Sequence, residues 1–182
     1  MRNDRSKFLK NSPHRFFAFL LLVASAVVSA PLTSNSQIHL RGLGELQIGM
    51  TIQEARTITG QNVARELSGG EERGCFMYRI AGLPGVSIME TAGRISRIDI
   101  SDRSFKTISG IRVGDPQKSV FLKYPDRIKE EKEHYTQNPL LVFAPKDAGD
   151  QNFRIKFYCE EGTIRSITVG KIPEVNYIEG CL

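Results

Sequence analysis

Tryptophan is absent from this chain, and histidine and cysteine occur only three times each. Beyond the first thirty residues only His39 and His134 remain, far apart in the sequence, so no pair of ligands has the close spacing of a zinc site. A cysteine nucleophile needs a histidine base within reach. His39 lies in an entry segment and His134 follows the charge run Lys-Glu-Glu-Lys-Glu at 129–133, which reads as a solvated strand face. Ser68-Gly69-Gly70 lacks a following Lys-Ser/Thr, which argues against a phosphate cradle. Asp147, Asp150 and Asn152 offer oxygens, but without the acidic alternation and terminal glutamate of a calcium loop they read as a polar turn. The sequence therefore marks no catalytic, cofactor-binding or metal-binding residue.

A long hydrophobic run is missing too. The longest apolar or small-residue stretch, Phe16 to Val28, holds thirteen residues. At about 1.5 Å each these do not cross a hydrocarbon core of ~30 Å. The basic start (Arg2, Arg5, Lys7, Lys10, Arg15) and the closing Ala-Ser-Ala-Val-Val-Ser-Ala give the three-part pattern of a secretory signal peptide over 1–30, with cleavage after Ala26 or Ala30. No cysteine lies near that boundary, which argues against a lipoprotein. The expected location is the periplasm or the exterior, with no transmembrane segment in the mature chain.

Surplus charge disappears with the leader. The whole chain has 25 basic and 20 acidic residues, but the first thirty hold five basic and one acidic. The remainder, twenty against nineteen, has no arginine-rich stripe, so a nucleic-acid partner is not indicated.

What is present is a near-repetition. Leu46-Gln-Ile-Gly-Met-Thr and Ile111-Arg-Val-Gly-Asp-Pro each open on an apolar–x–apolar–Gly pattern followed by a helix-like run. In the first, Thr51 and Glu54 form a capping box, Ile52, Ala55 and Ile58 share a face, and Gly60 stops the helix. In the second, Asp115 is the expected cap with Pro116 at the first helical position; Val120, Phe121 and Tyr124 give the face, and Pro125 ends it. Strand–turn–strand patterns follow at 86–100 and 155–169, each preceded by an apolar run, at 75–80 and 140–144. The expected fold class is thus α+β: two tandem repeats of a short helix plus a three- to four-stranded antiparallel sheet. The expected divisions are entry segment 31–44, repeat 1 at 45–104, repeat 2 at 105–170 and tail 171–182.

Gly-Met-Thr before a short helix, followed by antiparallel strands, resembles the small modules of the outer-membrane assembly lipoproteins (SmpA/OmlA-like). A tandem pair of such modules is similar to the β-lactamase inhibitor protein fold. The resemblance spans most of 42–170, although Asp115-Pro116 replaces Met-Thr in the second unit and the lipoprotein cysteine is absent. It implies a fold and a habit of binding other proteins, with no catalytic residues to carry over. The tail Pro-Glu-Val-Asn-Tyr-Ile-Glu-Gly-Cys also resembles that of exported bacterial proteins of unassigned function.

Three cysteines in an oxidising compartment allow one bridge and one free thiol. Period two along 153–160 puts Cys159 on the apolar face, as a small hydrophobe. Cys181 lies in a tail that frays unless tied, so the preferred bridge is Cys75–Cys181, with Cys159–Cys181 as the alternative. The functional expectation is a non-catalytic binding module of the bacterial envelope, its partner an envelope protein or component. A small hydrolase or redox enzyme using Cys159, or a carrier of a small apolar ligand, are the alternatives.

Overall fold

A computed structural model describes residues 32–33, 35–67 and 70–182. The leader with its two cleavage positions, and Ser68–Gly69 of the Ser-Gly-Gly run, lie outside the described residues. The chain begins with three short strands, β1 (Gln37–His39), β2 (Gly42–Leu43) and β3 (Leu46–Gln47). Helix α1 (Ile52–Thr59) follows, then β4 (Val63–Glu66), β5 (Cys75–Ile80), β6 (Leu83–Thr91), β7 (Arg94–Ile100) and β8 (Lys106–Thr107). Helix α2 (Lys118–Lys123) leads into β9 (Ile128–Lys132), β10 (Pro139–Phe143), β11 (Phe153–Glu160) and β12 (Thr163–Lys171).

Helix α1 forms as its sequence dictates. Thr51 Oγ1 accepts from the Glu54 amide at 3.1 Å, and Glu54 Oε2 accepts from the Thr51 amide at 2.7 Å. Gly60, with φ of 62°, ends the helix in the left-handed conformation that a side chain would disfavour. Ile52 and Ala55 are buried. The second helix departs from expectation. Its N-cap is Gln117, because Asp115 is engaged earlier: its Oδ2 accepts from the Arg112 amide at 3.0 Å. Only Val120 of α2 is buried, and Tyr124, just beyond it, packs on Phe143 and Phe157 with ring centroids 5.0 and 5.9 Å apart.

The two tandem helix-plus-sheet repeats of the α+β expectation do not form. The molecule is mostly β, with one eight-stranded antiparallel sheet ordered β4-β5-β6-β7-β12-β11-β10-β9 and a four-stranded mixed sheet ordered β3-β2-β1-β8. The deciding contact is between β7 and β12, where Ile100 faces Ile167 and Ile98 faces Val169. All four side chains are fully buried. Parting the strands would expose them and strip the facing backbone groups of partners, so a single core extends across the seam. The helices are too short, and bury too little, to form a layer for each half. The mixed sheet was not anticipated either. It ties the entry segment to the stretch after β7 through the parallel pair Ile38–Thr107, beside buried Leu43, Leu46 and Phe105.

Among the described residues no helix is long and apolar enough to cross a membrane. The outermost strand β9 reads Ile-Lys-Glu-Glu-Lys, a charged edge that discourages further pairing.

Candidate functional site: a basic groove walled by the C-terminal tail

Period two in the second half of the sheet sends one set of side chains to the core and the other to the opposite face. On β11, Ile155, Phe157 and Cys159 are buried, while Arg154, Lys156 and Tyr158 point away. Beside them stand Thr168 of β12, Leu140 and Val142 of β10, Lys129 and Glu131 of β9, and Arg97 and Asp99 of β7. The tail then runs across this face. Val175 is buried in a 3₁₀ turn at Glu174–Asn176, Arg97 donates to the Tyr177 carbonyl at 2.7 Å, and the Tyr135 hydroxyl donates to the Glu179 carboxylate. A disulfide joins Cys181 to Cys75, and the pair is packed with buried Met89 and with Met77. Gly70 shows how closely the chains approach here: a Cβ on it would lie 1.8 Å from the Cys181 carbonyl oxygen.

Sheet and tail together enclose an open groove of about 630 Å³. Its cations are Arg97, Arg127, Lys129, Lys132, Arg154 and Lys156, its carboxylates Glu131 and Glu133. Asp99 neutralises Arg97, at 2.8 Å, and Glu131 neutralises Lys129, at 2.9 Å. Among the described residues Arg127, Lys132, Arg154 and Lys156 form no ion pair. Arg127 and Arg154 hold backbone carbonyls instead, of Ala144 for the first and of Gln151 and Phe153 for the second. The Lys156 ammonium donates to the Val175 carbonyl (3.2 Å) and the Asn176 side-chain oxygen (3.3 Å), both neutral. Burial holds its pKa below the ordinary lysine value of 10.5, the nearby Glu131 charge opposing that shift. A partly desolvated ammonium whose hydrogen bonds go only to neutral oxygens gains from an arriving carboxylate.

The residues singled out from sequence are scattered. Cys159 lies fully buried on the core face, its sulfur 3.7 Å from the Phe157 carbonyl, and burial pushes its thiol up to about 11. The His39 ring contacts the Gly44 carbonyl at 2.9 Å. His134 lies on the β9–β10 turn, edge-on to Tyr135, and borders the groove. Neither histidine is paired with Cys159 among the described residues. Asp147 caps a 3₁₀ turn by accepting from the Gly149 amide at 2.9 Å, and Asp150 is ion-paired with Arg41 at 2.5 Å. The described residues contain no group of three or more histidines, cysteines, aspartates or glutamates placed to hold a metal. Sequence reasoning missed Lys156 and its cationic neighbours. The same alternation that sent Cys159 inward also sends Lys156 outward, but nothing local shows that the tail would cover it.

No family model and no curated protein matches this chain. Solved structures similar to it include three. The uncharacterized protein yfeY from Escherichia coli is 16% identical with a TM-score of 0.48, covering 75% of this chain and 99% of its own. An extracellular protein containing a SCP domain from Bacillus anthracis is 12% identical (TM-score 0.47, 69% of this chain, 44% of that one). A cysteine-rich secretory protein from Staphylococcus aureus is also 12% identical (TM-score 0.45, 73% and 47%). This chain thus spans under half the length of the latter two.

Proposed function

We propose that this is an exported, non-catalytic binding module of the bacterial envelope, periplasmic or secreted, whose groove receives an acidic segment of another protein. The observation that carries the reading is the half-buried Lys156 ammonium, hydrogen-bonded only to neutral oxygens and sharing the groove with Arg127, Lys132 and Arg154, none of which has an ion pair among the described residues. Leu140, Val142, Ile172 and Ile178 add apolar surface beside these charges. That mixture suits a peptide carrying both carboxylates and aliphatic side chains better than a bare anion. Export is supported by the basic-then-apolar leader and by the disulfide, a bond that persists in oxidising compartments. The enzyme and carrier alternatives have less support. Cys159 faces the core with a raised thiol pKa, and the groove is open and charged rather than closed and apolar.

The test is fluorescence anisotropy with a labelled peptide alternating glutamate and leucine, against its glutamine–leucine counterpart. The acidic peptide should bind with salt-sensitive affinity. Lys156→Met should weaken it by roughly tenfold, equivalent to about 1.4 kcal/mol. Equal binding of the neutral peptide, or no change in Lys156→Met, would refute the proposal.

A further inference from the structure

A second cleft, of about 720 Å³, lies along the last residues of the tail, and Tyr177 and Ile178 border both cavities. Its walls present apolar side chains to solvent: Tyr135 is 63% exposed, Tyr177 41%, Ile178 54% and Leu182 64%. Of the other exposed large apolar residues, Ile172 lines the groove, while Leu67, Ile108, Phe121 and Leu122 line neither cavity. Single exposed apolar side chains are ordinary, but several gathered on one concave surface mark a place that a partner covers. The gathering is also held in place. Cys181, next to Leu182, is bonded to Cys75 at the start of β5. Arg97 holds the Tyr177 carbonyl, and the Tyr135 hydroxyl is spent on the Glu179 carboxylate, which leaves the ring as what Tyr135 offers. An anchor site fixed before binding loses little freedom when it is filled.

We infer, resting on the reading of the groove given above, that this cleft receives a large uncharged side chain on the same partner segment whose carboxylates enter the groove. Two observations choose this occupant. The first is charge. The groove has four cations without an ion pair among the described residues, whereas the cleft sets Glu174 and Glu179 against Arg73 alone and offers a further carboxylate nothing. Acidic residues of the partner therefore stop where the groove stops. The second is continuity. Tyr177 and Ile178 are common to both cavities, so a chain leaving the groove past them meets the cleft next. Large apolar anchors in a fixed pocket, beside polar contacts that set specificity, supply much of the affinity at such surfaces. The partner class is thus an acidic stretch with an aromatic or bulky aliphatic residue at one end.

The protein has no tryptophan, so a tryptophan on the ligand can be followed without background. The experiment compares the glutamate–leucine peptide with two extended forms, one carrying Gly-Trp at its C-terminal end and the other Trp-Gly at its N-terminal end. Binding to the disulfide-bonded protein is read by anisotropy and by tryptophan emission. One extended form should bind roughly tenfold more tightly than the unextended peptide. Its emission should shift to the blue and be shielded from acrylamide. Leu182→Glu places a charge in the cleft at a residue that does not line the groove, and it should bring the two affinities together. Should that variant fail to fold, Tyr135→Ser should do the same. If the unextended peptide does not bind, the groove reading falls and the anchor with it. If it binds and neither extension adds affinity, or if the gain survives both variants, the anchor alone is overturned. A dimer in sedimentation that Leu182→Glu dissociates would show a second copy covering the cleft, and would equally overturn the anchor.

Discussion

Replacing Cys181 by alanine removes the only covalent restraint on the tail, and the structure allows its effect to be worked out in two parts. The bond joins residues 106 positions apart. For loops of about that length the chain-entropy model gives roughly 4.7 kcal/mol, and native bridges in small secreted domains are typically worth about 2–5 kcal/mol. At about 2–4 °C per kcal/mol for a domain of this size, the melting temperature should fall by on the order of 10 °C. The local effect is separate. Contacts that still hold the start of the tail include Thr91 to Glu174, Lys156 to the Val175 carbonyl and the Asn176 side chain, and Arg97 to the Tyr177 carbonyl. Beyond Tyr177 only the exposed Tyr135–Glu179 contact remains among the described hydrogen bonds. Limited proteolysis of Cys181→Ala should therefore cut within 178–182, while the Asn176 and Tyr177 amides, which donate to the Pro173 and Glu174 carbonyls, stay protected from hydrogen exchange. Calorimetry with and without reductant completes the test. The parent protein should drop to the variant's melting temperature when reduced, and the variant should not respond. A parent insensitive to reductant, or a variant within about 2 °C of it, would refute the reasoning.

Two further outcomes follow from burial. Because desolvation lowers the folded-state pKa of Lys156, the unfolded chain binds the extra proton between that value and 10.5, and stability gains from this group as pH rises through that window. Denaturant titrations across alkaline pH should show Lys156→Met lacking that increment, and an increment of opposite sign would refute the assignment. Cys159, fully buried with its thiol pushed up to about 11, should resist alkylation in the native protein at pH 8 and react only on unfolding. Rapid labelling of the folded state would contradict the described packing.

Short-range chemistry was readable from the sequence, and long-range pairing was not. The Thr51–Glu54 box and the Gly60 stop are settled within a few residues, so α1 appears where it was read. The hairpins read at 86–100 and 155–169 form as β6–β7 and β11–β12, because alternation and a Gly-containing turn are also local. Asp115 was misread as a helix cap because an aspartate side chain serves equally well to accept from the Arg112 amide in a turn. The two-residue strands of the mixed sheet carry too little periodicity to register, and β1 pairs in parallel with a strand far along the chain. The fold class failed for the same reason: nothing in either hairpin states that β7 and β12 will pair. The candidate groove inherits that limit. The alternation that sends Cys159 inward also sends Arg154, Lys156 and Tyr158 outward, but the cavity exists only because a weakly patterned tail lies across them.

The β7–β12 seam also bears on how the chain reaches this state. Its partners, Arg97 with Gly170 through Ile100 with Ile167, lie about seventy positions apart, whereas the hairpins on either side close within a few residues. Hairpin closure is therefore fast and seam closure slow. Until β12 arrives, β7 presents an unpaired backbone edge beside Ile98 and Ile100, both of which end fully buried. A second nascent molecule in the same condition offers the complementary edge, and joining the two is bimolecular where seam closure is not. Yield on refolding should consequently fall with protein concentration even where the finished fold is stable, so the weak point of this architecture is kinetic and lies in the middle of its largest sheet.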